Sequence, residues 1–303
     1  MPRVTVITAA YNCSHTLRCA IQSILDQTFS DFEVWVVGDC CTDDSAEVVA
    51  GFGDKRLHWT NLSTRSGSQF GPNNEGLRRA EGEYVAYLGQ DDLWFPWHLE
   101  SLVATLDGGG VDFAHGLLAE FKAPDRISLG GAPQGVRSYG QRFVPPSGWM
   151  HRRDVVVRCG EWPHPGGLVA GVDFVFQRRA FLVGCRFAST GRLSVMKFHS
   201  AIFKIYARGE GYPQPGYLER MRQDSGALHD QVVMQLLVDS AHAIEELMTR
   251  PTAGGVFRAV VLRIADWYGI DRWPVSRYFK WRNASWRRRL PALRGLSRPL
   301  RNG

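Results

Sequence analysis

The sequence predicts an α/β fold: a mostly parallel central sheet with helices on both faces, followed by a helical C-terminal region. Two observations carry this prediction. Residues 3–9 form a near-continuous apolar, β-branched run, which suits a strand buried on both faces. Strand-like and helix-like segments then alternate with short connections as far as residue 115, the pattern that gives a covered parallel sheet.

The elements follow in order. After the first strand, Ser14 is placed to cap a helix whose Leu17, Ile21, Ile24 and Leu25 recur at helical spacing through Gln27. Phe32–Val37 reads as a second strand, and Thr42 or Asp43 can cap a helix running through Val49. Leu57–Thr60 is a short third strand, and a helix over Asn73–Ala80 leads into a fourth at Tyr84–Leu88. Pro96 suits the first turn of a helix through Leu106, and Val111–Ala114 closes the series.

From 116 to 147 Gly, Pro and Ser accumulate and periodicity is lost. Short helical patterns at 152–158 and 172–183 precede a strand-like segment, Leu193–Phe198. Beyond Gly216 the pattern is helical, with Leu228, Val232, Val233, Leu236, Leu237, Ile244, Leu247 and Met248 on one stripe. The division expected is 1–115, 116–215 and 216–303, the first two being halves of one domain and the third a helical extension with a basic tail.

The net charge of +6 conceals an asymmetry: ten Lys and Arg lie from Arg272 onward with no acid, leaving 26 basic against 30 acidic residues before them. The tail also carries Tyr278, Phe279, Trp281 and Trp286. It reads either as a segment lying on an anionic membrane surface or as a solvated end; no nucleic-acid recognition fold accompanies it. No stretch approaches the roughly 20 consecutive apolar residues of a membrane-spanning helix. The N-terminus is too β-like for a signal peptide, and the six cysteines show no C-x-x-C spacing. Reduced thiols and a cytoplasmic location, with peripheral contact at the inner membrane face, are the expectation.

Ligands of such sheets sit beyond the carboxyl ends of the strands, where three polar turns fall: Tyr11-Asn12, Gly38-Asp39 and Gly89-Gln90-Asp91-Asp92. The sequence has no Walker A loop, and no G-x-G-x-x-G follows the first strand, which speaks against a P-loop nucleotidase or a dinucleotide-dependent dehydrogenase. Phosphate charge would instead be met by a divalent ion held on one or two carboxylates, which Asp91 and Asp92 can supply. The plain alternative is an acidic turn capping the next helix.

Three segments together resemble the family 2 glycosyltransferases, inverting enzymes of the GT-A fold: Val4–Asn12, Ser23–Asp39 and Asn74–Pro96, in matching order and spacing. The resemblance implies donor contacts at Ala9, Tyr11, Asp39, Asn74, Gln90 and Asp91, with Tyr11 and Asp39 framing the base and Asn74 near the diphosphate. It implies Mg²⁺ or Mn²⁺ at Asp91, the last position of a D-x-D element, and a nucleoside-diphosphate sugar as donor, UDP-sugars first among them. Asp173, in a segment similar to the acceptor side of the family, would be the general base toward a hydroxyl acceptor. His199 is a further candidate for the metal or the phosphates, against the alternative of a hydrogen-bonded structural histidine. Trp94, Trp97 and Trp149 are either sugar-stacking platforms or core aromatics. The sequence departs from the family pattern at Gly38, Gly89, Asn73 and Val172. A catalytically degenerate binding module is therefore the rival reading, with a nucleotidyltransferase behind it.

Overall fold

The computed structural model describes residues 1–249 except 124–125, 132–138, 141–142, 169, 201 and 204–211, with backbone alone over 243–249. The basic tail and the side chains of Ile244, Leu247 and Met248 lie outside the described residues. The chain divides into two compact units, Met1–Ala241 and His242–Gly303, and every strand of the sheet belongs to the first.

β1 (Val4–Ala10), β2 (Phe32–Gly38), β3 (Leu57–Asn61) and β4 (Tyr84–Tyr87) are mutually parallel in the order β3-β2-β1-β4. Val4, Val6, Ile7, Val34, Val36, Val85 and Ala86 are fully buried. Burial of consecutive residues requires cover on both faces, and each large apolar side chain so buried is worth roughly 1.5–3 kcal/mol. α1 (Ser14–Leu25), α2 (Ser45–Ala50), α3 (Phe70–Arg79) and α4 (His98–Asp107) connect or follow these strands. α3 packs on β1 and β2, and Gly76 permits it: a Cβ there would lie 2.6 Å from an Ile7 methyl.

Beyond β4 the sheet turns mixed, which narrows the sequence expectation of a mostly parallel one. β8 (Trp149–Arg152) is antiparallel to both β4 and β6 (Phe113–Ala123). β6 runs parallel to β9 (Phe187–Phe198), and the short β5 (Leu93–Trp94) is antiparallel to β9. β7 (Arg126–Gly130) forms a hairpin with β6. Strands thus occupy part of the 116–147 stretch that reads as aperiodic. Gly116 breaks the pattern for a packing reason: a Cβ there would come within 2.2 Å of Ser194 Oγ on β9. The β6–β9 register shifts at the same place.

α5 (Val155–Cys159) and α6 (Val172–Leu182) lie between β8 and β9; α7 (Gln214–Gln223) and α8 (Ser225–Thr249) come after β9. Leu228, Val232 and Leu236 of α8 are buried with Phe95, Phe121 and Phe198 in a second core cluster, whereas Leu237 is exposed. Ser14 is the first residue of α1 rather than its cap; its N–H is satisfied by the Asp43 carboxylate at 3.0 Å. Among the described residues no helix is long and apolar enough to cross a membrane, and all six cysteines are free thiols.

Candidate active site

The turns after β1, β2 and β4 meet at one edge of the sheet because those strands are parallel neighbours. Two residues without a glycine's freedom hold left-handed backbone there: Asn12 at φ 46° and Cys40 at φ 60°. Such conformations persist where surrounding contacts fix them. Here the Asn12 carboxamide accepts the Thr42 N–H at 2.8 Å and ties the two turns together. Gly38 is dictated by packing, since a Cβ would stand 2.4 Å from Asn61 Oδ1 and 2.9 Å from the Trp59 ring.

A cavity of about 360 Å³ opens beside these turns, lined by Ala9, Tyr11, Asp39, Arg65, Gly67 and Gln90 among others. Asp39 is 5% exposed and its carboxylate accepts two backbone N–H bonds, from Ser66 at 2.7 Å and Gly67 at 2.8 Å. The Tyr11 N–H donates to Gln90 Oε1 at 2.8 Å, and the Arg65 guanidinium lies 4.2 Å from the Tyr11 ring centre. The result is a flat aromatic and guanidinium wall beside a fixed carboxylate.

A second cavity, of about 350 Å³, shares Ala9, Ser68, Gln69 and Gln90 with the first and continues to Asp91, Asp173, Lys197 and Ser200. The acidic turn enters it from below β4. Asp92 is fully buried; it accepts from Ser147 Oγ at 2.5 Å, Lys197 Nζ at 3.0 Å and the Phe198 N–H at 2.9 Å. Asp91 is half-buried and faces the cavity, its carbonyl held by Gln214 Nε2 at 2.8 Å. Burial, then the neighbouring Asp92, pushes the Asp91 carboxyl up to about 6. Burial pulls the Lys197 ammonium down, but Asp92 and Asp91 outweigh it and hold it firmly charged.

Asp173 reaches the same cavity from the first turn of α6. Its Oδ1 accepts the Phe174 N–H at 2.8 Å and its Oδ2 accepts from Gln69 Nε2 at 3.3 Å. Gly171 leaves the room for this, since a Cβ would sit 2.4 Å from Asp173 Oδ1. Burial raises the Asp173 carboxyl above the usual range, against the lowering pull of the Phe174 N–H, Lys197 and Gln69. A carboxylate whose proton affinity is raised suits proton abstraction.

Six of the residues singled out from the sequence therefore gather along one continuous cleft: Ala9, Tyr11, Asp39, Gln90, Asp91 and Asp173. Two do not. Asn74 is 6% exposed and spends both ends of its amide on Trp162, donating to its carbonyl and accepting its N–H at 2.9 Å each. The helix phase turns Asn73, not Asn74, to the cavity. His199 stands instead beside Glu120, at 3.6 Å, and Lys122, at 2.8 Å, where burial and then Lys122 lower its pKa. An ammonium beside its ring is poor company for a metal ligand. Trp94 and Trp149 are fully buried core, and Trp97 donates its indole N–H to the Leu193 carbonyl while stacking under Arg192. Lys197 escaped sequence reading because it sits in an apolar strand; only the packing of the β9 end against the acidic turn exposes it.

Among the described residues no group of three or more His, Cys, Asp and Glu side chains stands ready for a metal. The donor set still fits the divalent ion implied by the family resemblance in one respect. Asp91 presents a carboxylate to the cleft from the turn after β4, its charge penalised by its surroundings, and Mg²⁺ commonly takes one or two carboxylates and completes its shell with phosphate oxygens and water.

The family described as "Glycosyl transferase family 2" matches residues 5–128. WfgD of Escherichia coli, a UDP-Glc:alpha-D-GlcNAc-diphosphoundecaprenol beta-1,3-glucosyltransferase, is 28% identical over 134 residues, which are 41% of this chain and 53% of WfgD. TarS of Staphylococcus aureus, a poly(ribitol-phosphate) beta-N-acetylglucosaminyltransferase, is 34% identical over 219 residues, 69% of this chain and 37% of TarS. The chain thus spans about half the length of WfgD and less of TarS. The crystal structure of TarS 1–349 with UDP-GlcNAc superposes at a TM-score of 0.57 and 20% identity, over 83% of this chain and 76% of that one. The mannosyltransferase PcManGT of Pyrobaculum calidifontis, in complex with GDP-Man and Mn²⁺, superposes at 0.54 and 18% identity, over 92% and 86%. These two likenesses speak to fold. Residues 5–128 thus form a domain that matches the family 2 glycosyltransferases, and the fold of the chain is the GT-A fold of the glycosyltransferase structures on which it superposes.

Proposed function

We propose that the protein transfers a sugar from a nucleoside-diphosphate donor to a hydroxyl acceptor, with inversion at the anomeric carbon. One observation carries the reading: the fixed carboxylate of Asp39, the cleft-facing carboxylate of Asp91 and the raised carboxylate of Asp173 line one continuous cavity from three separate elements. The base would lie on Tyr11 with its polar edge at Asp39, and Ala9 and Gln90 would wall the ribose and diphosphate. Residues 1–115 then form the donor side and 116–215 the acceptor side, with the helices of 214–249 as an extension and the rest of the expected third segment outside the described residues. UDP-sugars head the donor candidates, because WfgD is named for UDP-Glc and TarS is crystallised with UDP-GlcNAc.

Asp173 would accept the proton of the acceptor hydroxyl. The acceptor oxygen forms its bond to the anomeric carbon as the bond to the diphosphate oxygen breaks, and the nucleoside diphosphate leaves. Mg²⁺ or Mn²⁺, when bound at Asp91, would supply charge neutralisation to that leaving group. The Mn²⁺ of the PcManGT complex supports a divalent ion, and Mn²⁺ in particular. The acceptor would be a glycan, a lipid-linked glycan or a small metabolite; the lipid-linked substrate in the WfgD name favours the second. Contact of the basic tail with an anionic membrane face of the cytoplasm would suit such an acceptor.

Transfer assayed by release of nucleoside diphosphate should fall to background in Asp173→Asn and Asp91→Ala, with folding intact by circular dichroism. Wild-type turnover in either variant would remove that residue from the mechanism.

A further inference from the structure

We propose that Lys197 binds the donor diphosphate directly and gives the cleft a diphosphate affinity that needs no divalent metal. The inference rests on the nucleotide-sugar reading above and adds to it a phosphate ligand from β9.

The placement of charge leads to it. Three acids could crowd the turn after β4, but Gly89 keeps them at two: a Cβ there would lie 3.1 Å from Asp91 Oδ1, 3.1 Å from Asp92 Oδ2 and 3.4 Å from Ser147 Oγ. Asp92 is fully buried, and Ser147, Lys197 and the Phe198 N–H converge on its two oxygens. It is thereby an anchor for Lys197 and no ligand for anything in the cleft. With Asp92 engaged by Lys197, Asp91 and Asp173 are the two acids left lining this cavity.

Lys197 is not used up by this anchor. Its side chain is 22% exposed and lines the cavity with Asp91, Asp173 and Ser200. An ammonium has three N–H donors, of which the Asp92 bond takes one. A lysine held by a buried carboxylate in the wall of a cavity is a point charge suited to phosphate, and its attraction is stronger there than in bulk water. A diphosphate entering this cavity meets the two acids Asp91 and Asp173. Lys197, from β9, supplies the ammonium that offsets them, whether or not a metal is bound.

The test is calorimetry on the full chain in EDTA with UDP, GDP and their nucleosides. For the base that binds, the diphosphate should bind tenfold or more tighter than its nucleoside, the increment expected for hydrogen bonds to a charged group. Lys197→Met should erase that increment and leave nucleoside affinity unchanged, while Lys197→Arg retains most of it. Should Lys197→Met fail to fold, the paired variant Asp92→Asn/Lys197→Met removes both charges together and is read the same way. An increment that persists in the Met variants, or is missing in the wild type while the nucleoside binds, overturns the role of Lys197 alone. Absence of any nucleotide binding, even with Mn²⁺, overturns the nucleotide-sugar reading and this inference with it.

Discussion

Gln69 Nε2 donates to Asp173 Oδ2 at 3.3 Å, joining the loop that lines the Tyr11–Asp39 cavity to the carboxylate proposed as the base. The same loop is held at Ser66 and Gly67 by Asp39. Loss of the Gln69 donor removes one of the influences that keep the raised Asp173 carboxyl from rising further. Gln69→Leu should therefore shift the acid limb of the kcat/KM–pH profile to higher pH with donor KM little changed. An unmoved limb would mean that Gln69 only packs.

Asp39→Ala removes the acceptor of two charge-assisted backbone bonds and the proposed partner of the base edge. Nucleotide affinity should drop about tenfold or more, each bond to a charged group being worth about 1.5–3 kcal/mol. Calorimetry measures this, and undiminished affinity would place the base elsewhere.

Asp92→Ala leaves Lys197 without its buried partner and strands Ser147 and the Phe198 N–H. Breaking one side of a buried pair costs about 3–5 kcal/mol, which urea unfolding would read as a lowered midpoint. Asp92→Asn/Lys197→Met should recover part of the loss. A double variant no more stable than Asp92→Ala would contradict the pairing.

His98 is fully buried beside Trp94, with Nδ1 2.8 Å from Ser194 Oγ, and burial pushes its pKa down to about 3 from 6.5. The unfolded chain takes a proton near 6.5 that the folded one refuses, so the contribution of the neutral ring is intact above 6.5 and lost as pH falls toward 3. His115 and His151, both pushed down to about 4 by burial, act in the same sense. Asp91 acts oppositely: raised to about 6 from 3.8, it favours the fold at low pH and that support fades as pH rises through 6. Between pH 7.5 and 5, His98→Gln should lose about 2 kcal/mol less stability than wild type, at roughly 1.4 kcal/mol per pH unit below 6.5. Equal losses in urea unfolding at the two pH values would contradict this.

The first half was legible in the sequence because its strands are buried on both faces and its turns are polar, so β1, β2 and β4 stand out as apolar runs followed by Tyr11, Asp39 and Asp91. The second half was less so. Gly116 looks like a loop residue yet serves the close approach of β6 to β9, and β8 is too short, at four residues, to show a period. Single-residue choices also escaped. Asn73 and Asn74 are adjacent on α3, and only the phase of a helix that begins at Phe70 decides which one faces the cavity. Lys197 and Gln69 owe their places to contacts across more than a hundred residues, with Asp92 and Asp173 respectively, which no local pattern encodes.

The most direct measurement is a calorimetric titration of the full chain with UDP-, GDP- and TDP-sugars in the presence of Mn²⁺, repeated on Asp39→Ala. One nucleotide class should bind saturably, at one site per chain, and the Asp39 variant should bind it about tenfold or more weakly. Failure of every nucleotide to bind, or binding indifferent to Asp39, would contradict the assignment of the cleft.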